Sequence, residues 1–285
     1  RRTYQQVFVD GLTSPGDEGR RFGDGWTAGY GCTLLSSDLL HGPRSIETAI
    51  AARQAMAEAV ASHCFGNVIT SAGPESRWLV IALARFVSLK YLGQAFGKTY
   101  YQFRLAQDAE ETSLLCDDYP PISDPWCGNT STPALLDFVA KRGCMILHMV
   151  ESRVGADVLA DTIKMLAQDA CGVVLAKKKA AECLSTQYFF DVLESKSRHS
   201  AKKFIEKWID DPHMPRLQCG YAWHQRNNKT EIVLQQRQSI KLNTFQGPVD
   251  VVMNAKDDEP KMLKLQMEDK VQQLEIANKR RPQTQ

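Results

Sequence analysis

The sequence predicts an α+β protein, a helix-rich part followed by a small antiparallel β-sandwich, and three observations predict it. From Ile46 to about Asp210 the apolar residues recur at spacings of three and four, the period of a helix. Past Pro212 they alternate in short runs between turn residues, the period of half-buried strands. The chain has 285 residues, 43% hydrophobic and 24% charged, enough to bury a core of each kind. The change of period puts a boundary near Asp211 and divides the chain into domains 1–210 and 211–285.

Each element has its own signal. Val7-Phe8-Val9 reads as a strand, 11–31 as a Gly-rich loop, and Thr33-Leu34-Leu35 as a second apolar run. Ile46, Ile50, Arg53, Ala57, Val60, Ala61 and Cys64 mark an Ala-rich helix of about five turns. Gly66-Asn67 ends it, as glycine does after a helix. A second helix is expected over 77–93 with Ser76 as its N-cap. A third, over 97–111, carries Tyr100, Tyr101 and Phe103, expected in the core and not as a platform for stacking bases. After a proline-rich loop over 119–126, helices follow over 133–153, 156–170, 186–196 and 200–210, with Pro133 in a first turn and Gly155 as a stop. His148, among Ile146, Leu147 and Met149, reads as a core histidine with a partner. The strands expected after that run through Leu217, Cys219 and Tyr221, then 231–235, 249–253, 263–267 and 274–276, with a turn at Asn227-Asn228.

Composition excludes some functions. Against 33 Asp and Glu stand 35 Lys and Arg, a net charge of +2, which argues against a strongly basic nucleic-acid module. The eight cysteines are irregularly spaced with no C-x-x-C pair, so buried, reduced thiols of an intracellular protein are expected. Asn129-Thr130-Ser131 and Asn228-Lys229-Thr230 match the glycosylation pattern, one short enough to arise by chance. The longest apolar run, 78–92, is broken by Arg85 and Lys90, so no membrane span is expected. The chain opens on Arg1-Arg2-Thr3-Tyr4 without an initiator Met or a signal sequence, and reads as a piece of something larger.

The informative segment is 58–70, E-A-V-A-S-H-C-F-G-N-V-I-T. In zinc peptidases of the H-E-x-x-H type, two His project from one helix face and the Glu between them is the general base. The thermolysin-like gluzincin aminopeptidases extend this to H-E-L-A-H-Q-W-F-G-N-L-V-T, with a further Glu ligand nineteen residues past the second His. Phe65-Gly66-Asn67-Val68-Ile69-Thr70 resembles the end of that motif, and 78–84, W-L-V-I-A-L-A, is similar to the family's W-L-N-E-G-F-A. The segment 141–146, K-R-G-C-M-I, resembles the Y-x-K-G-A stretch that supplies a tyrosine. On this frame Glu58 stands at the first His, Ala59 at the general base, Ser62 at the second His, Ile81 at the Glu ligand and Ala140 at the tyrosine. No Glu lies between Gly19 and Ile46, so the G-x-M-E-N loop that grips a free amine is missing as well.

One carboxylate, one hydroxyl and an isoleucine fall short of the roughly three or four donors zinc requires. His63 is on another face from Glu58, and Ser62 diverges from it as helix neighbours do, so it makes no catalytic pair. Metal-activated water and its base are both lost. The resemblance therefore implies a thermolysin-like pseudo-aminopeptidase domain ahead of the sandwich, with no metal, no other cofactor and no small-molecule substrate.

Within this fold the chain resembles the aminopeptidase-like, TBP-associated subunits of the general transcription factor TFIID. Thr3-Tyr4-Gln5-Gln6-Val7-Phe8-Val9-Asp10 is similar to their S-Y-K-x-V-F-I-D, and Leu35-Ser36-Ser37-Asp38-Leu39-Leu40 to I-x-S-T-N-L-L. Arg53, Ala57, Ala59, Ala61, Ser62, Phe65 and Gly66 fit R-x-x-L-A-x-A-L-A-S-Q-W-F-G, and 96–104 resembles F-G-N-N-E-Y-R-F-R. This implies a non-catalytic nuclear scaffold in TFIID that helps position the complex on core-promoter DNA for transcription initiation, with other TBP-associated factors as partners. Lys177, Lys178, Lys179, Lys202, Lys203 and the end Lys279-Arg280-Arg281 are the candidate contacts to DNA phosphates or partners, against the plainer reading of a solvated helix face. Two other readings stand beside it, a zinc-dependent aminopeptidase and an inactive aminopeptidase-like adaptor outside transcription.

Overall fold

The structure is a computed structural model that describes residues 4–10, 26–29, 31–42, 44–129, 132–175, 183–197, 202–237, 244–253, 261–277 and 282. They form two compact units, Arg1–Ser200 and Ala201–Gln285.

The first unit opens with three strands, β1 (Gln5–Val9), β2 (Trp26–Gly29) and β3 (Cys32–Ser36), in the order β1-β3-β2. β1 runs parallel to β3 with Val7 opposite Leu34, and β2 antiparallel to it with Trp26 opposite Leu35. β2 falls where the sequence reads as loop; four residues are too few to show a period. Gly31, at φ +80°, makes the turn into β3 in a region that favours glycine.

Helices α1 (Ile46–Cys64), α2 (Arg77–Phe96), α3 (Lys98–Leu115) and α5 (Pro133–Val154) form the core, with α2 packed on α1, α3 and α5. α2 is buried on nearly every side, from Trp78 to Leu92, because it is apolar on nearly every side. By length and composition alone the helical segment Pro74–Phe96 is apolar enough to cross a membrane, although Arg85 and Lys90 interrupt its apolar run. Both cations are ion-paired inside this unit, and its burial accounts for its composition as a core helix. Gly143 lets α5 approach α2 closely, since a Cβ there would lie 2.5 Å from the Ala82 Cβ.

Around this core lie α4 (Pro125–Asn129), α6 (Ala156–Leu175) and α7 (Thr186–Ser197). Several expectations need correction here. Ser76 does not cap α2; a short 3-10 turn over Pro74–Ser76 leads into the helix, and the Ser76 hydroxyl accepts from the Thr186 N–H at 3.1 Å. Phe103 is 63% exposed, whereas Tyr101 is buried, because only one of the two faces α2. His148 has its partner, the Tyr101 hydroxyl at 3.1 Å, but its side chain is 40% exposed. Cys116, Cys127 and Cys144 are buried free thiols as expected, whereas Cys183 and Cys219 are exposed.

The second unit holds α8 (Lys202–Trp208) and the strands β4 (Leu217–His224), β5 (Lys229–Gln236), β6 (Gly247–Met253), β7 (Lys261–Met267) and β8 (Val271–Ala277). One sheet has the order β4-β5-β8 and the other pairs β6 with β7, all antiparallel. The sheets share a core: Leu234 packs with Leu265 and Met267, and Ile232 and Ile276 with Met253. Asn228, at φ +48°, makes the turn between β4 and β5, a conformation asparagine tolerates. This compact unit begins ahead of the change of period at Asp211, because the Trp208 ring packs on Phe245 at 5.3 Å and draws α8 to the strands.

Candidate functional site

Glu58 and Ser62 stand one turn apart on α1, and Ile81 and Arg85 one turn apart on α2. α1 ends soon after at Phe65, which bridges to Ile69 across Gly66 at φ +127°, so the Phe65-Gly66-Asn67 signature is the stop that fixes this end of the helix. What the helices bring together is a charged cluster. The buried Glu58 carboxylate accepts from Arg85 Nη1 at 2.7 Å. On its other side Arg85 donates through Nε and Nη2 to both oxygens of Asp108 on α3, at 3.0 and 2.9 Å. All three side chains are at most 6% exposed.

Secondary contacts fix the cluster. Ser88 donates to the Arg85 carbonyl at 2.8 Å and Thr112 to the Asp108 carbonyl at 2.6 Å. Burial alone would lower the pKa of the Arg85 guanidinium, but Glu58 and Asp108 outweigh it and hold the group above its ordinary value. Burial likewise pushes the Asp108 carboxyl above the usual range, against the pull of Arg85. The enclosed Cys144 thiol of α5 is pushed up to about 12, chiefly by burial. It is an inert neutral thiol at physiological pH.

The other candidates add no donor set. Ala59 is fully buried; Ser62, Ile81 and Ala140 are half-buried. Among the described residues no three His, Cys, Asp or Glu side chains are grouped to hold a metal ion. The residues that the resemblance puts at the ligand positions do not fit an aminopeptidase's zinc: the one carboxylate among them, Glu58, already accepts from a guanidinium, and Ser62 and Ile81 offer a hydroxyl and hydrocarbon. His63 has a structural task instead, its Nε2 accepting from the Gly31 N–H at 2.6 Å while its ring meets the edge of Tyr4, so it fastens α1 to the start of β3. Lys202 and Lys203 are exposed on α8. Lys177, Lys178, Lys179, Lys279, Arg280 and Arg281 lie outside the described residues.

Sequence reasoning missed Arg85 and Asp108. The signal was present in α2, where one arginine inside an apolar run requires a buried anion, but nothing in the sequence pairs it with a residue on another helix.

No family model matches the chain. Three curated proteins are similar to it, each a transcription initiation factor TFIID subunit 2. That of Schizosaccharomyces pombe is 25% identical over 181 residues, covering 62% of this chain and 15% of that protein. That of Drosophila melanogaster is 22% identical over 291 aligned positions, covering 89% and 23%. That of Caenorhabditis elegans is 18% identical over 249, covering 79% and 22%. The chain thus spans less than a quarter of the length of these relatives. Among solved structures, aminopeptidase A of Legionella pneumophila in complex with aspartic acid matches with a TM-score of 0.65 at 13% identity, over 90% of this chain and 28% of that one. The chain is thus similar to TFIID subunit 2 in sequence and to an aminopeptidase in its α+β fold, the two resemblances that its motifs carry.

Proposed function

We propose that this chain is the pseudo-aminopeptidase part of a TFIID subunit, a nuclear, non-catalytic scaffold that joins other TBP-associated factors and helps position the complex on core-promoter DNA at transcription initiation. The observation that carries the reading is the similarity to TFIID subunit 2 along most of the chain, 89% of it for the Drosophila protein. The pocket chemistry supports it: Glu58, Ala59, Ser62, Ile81 and Ala140 stand where the resemblance places the ligands, base and tyrosine of a zinc peptidase, and none of the last four can replace them. Lys202 and Lys203 are the exposed members of the basic set proposed to meet phosphates, alongside Lys177–Lys179 and Lys279-Arg280-Arg281.

Tagging the full-length protein and identifying what copurifies from nuclei tests the assembly, with TBP and other TFIID subunits as the expected partners. Exclusion from the nucleus, with no TBP recovered, overturns it in favour of an adaptor outside transcription. The second reading, an active enzyme, has only the aminopeptidase-like fold behind it. Turnover of aminoacyl-anilides that scales with protein concentration would establish that reading in its place. Reversing the charge of Lys202 and Lys203 is expected to weaken promoter cross-linking evenly across sequences, as loss of phosphate contacts does.

A further inference from the structure

We infer that the Arg85 guanidinium is the resident cation between α1, α2 and α3: it holds Glu58, which the resemblance puts at the first zinc-ligand position, and joins it to Asp108, so that the three helices are pinned by an internal ion network and not by a metal. Three observations carry this. The Glu58 carboxylate is buried beside Arg85 at 2.7 Å, so its charge is already met. Arg85 is one turn past Ile81 on α2 and reaches α3 with a two-point grip on Asp108, which makes the guanidinium a cross-link between three helices. Every member is nearly sealed from water, where a lone carboxylate is costly and a planar fork that satisfies two carboxylates is the favoured counter-ion.

The network differs from a metal centre in what breaks it. A chelator removes a zinc ion; nothing in solution removes a side chain. Removing Arg85 takes from two buried carboxylates the counter-ion they share, whereas replacing all three residues by apolar groups removes those charges together. The inference needs the aminopeptidase fold and not the transcriptional role, so the copurification experiment above and the one below can fail separately.

The test is thermal melting of the 285-residue chain, with and without a chelator or added zinc, for wild type, Arg85→Met, Arg85→Lys and the triple change Glu58→Leu, Arg85→Met, Asp108→Leu. The wild-type midpoint is expected to be the same in all three solutions. Arg85→Met should lower it by roughly 10 °C, as breaking a buried pair does. Arg85→Lys, which keeps the charge and loses the fork, should fall between, and the triple variant should recover most of the loss. If Arg85→Met does not fold, the lysine and triple variants still order the series. A midpoint that zinc raises or the chelator lowers overturns the inference. So does an unchanged Arg85→Met, or a triple variant no more stable than Arg85→Met, since the loss would then come from packing and not from unpaired carboxylates.

Discussion

The two units carry charge in opposite ways. In the helical unit, Arg85, Glu58 and Asp108 are withdrawn from water and each is held by hydrogen bonds. In the strand unit, Glu231 of β5 faces Glu275 of β8 directly across the sheet, an unfavourable like-charge pair. There Lys229 reaches Glu275 at 2.8 Å and His224 lies 3.6 Å from Glu231, with Glu231 half-buried and the other three exposed. The difference teaches that desolvation, not distance, sets how much a pair matters. Near-equal contact lengths give a network whose loss should destabilise one unit and a surface pair whose loss should be absorbed by solvent.

Packing sets the scale for that contrast, and the largest expected effect comes from Gly128→Ala. A Cβ at Gly128 would overlap the backbone carbonyl of Pro74, which cannot move aside as a side chain does. The change should destabilise the helical unit by about 3 kcal/mol, read from urea midpoints. A smaller loss would mean that α4 shifts freely, and the helical unit would be softer than its buried charges require.

In the strand unit the buried Gln236 can be set against Arg85. Gln236 donates from Nε2 to the carbonyls of Phe245 at 2.8 Å and Asp269 at 3.1 Å, and its Oε1 accepts from the Phe245 N–H at 2.8 Å. Gln236→Leu keeps the volume and strands three backbone groups, so roughly 2 kcal/mol of stability should be lost from this unit. A neutral outcome would show that water replaces the glutamine, and burial would no longer separate the two regions.

The fold was legible wherever a period was long enough. The helices over 46–64 and 77–96 and the strands of the second unit stand close to where their apolar spacings place them. β2 was too short to leave a pattern, and α8 joined the strand unit through the contact of Trp208 with Phe245, which no local signal records. Of the candidate site, the sequence places Glu58 and Ser62 on one helix and Ile81 on the next, as the structure has them. The pairing of Arg85 with Asp108, twenty-three positions apart, was not, because it depends on how α2 and α3 pack.

Between the sealed network and the surface pair lies Glu151, with Lys90 Nζ at 2.5 Å and the carboxylate side chain 14% exposed. Burial pushes this carboxyl up, but hydrogen bonds from His148 and Lys90 outweigh it and hold the group below the ordinary carboxylate value. A carboxyl lowered on folding contributes stability that is complete above its unfolded pKa, near 4.3, and lost as pH falls through the folded value. The gap in urea midpoint between wild type and Glu151→Gln should therefore be full at pH 7, narrow as the pH falls below the unfolded value, and vanish once it is below the folded one. A gap independent of pH would assign the effect to packing.

The smallest effect is expected at Lys229. Its pair with Glu275 is exposed, and each partner's pKa moves toward the charged form chiefly through their shared hydrogen bond. Lys229→Ala should leave the thermal midpoint unchanged within error at physiological salt, because ions and water take over the role of the ammonium group. At low salt the variant should fall slightly below wild type, since Glu231 and Glu275 then repel each other with less screening and one compensating cation fewer. A loss that persists in high salt would mean that the aliphatic stem of Lys229 packs on the sheet, and that apolar contact rather than charge holds this edge of β5.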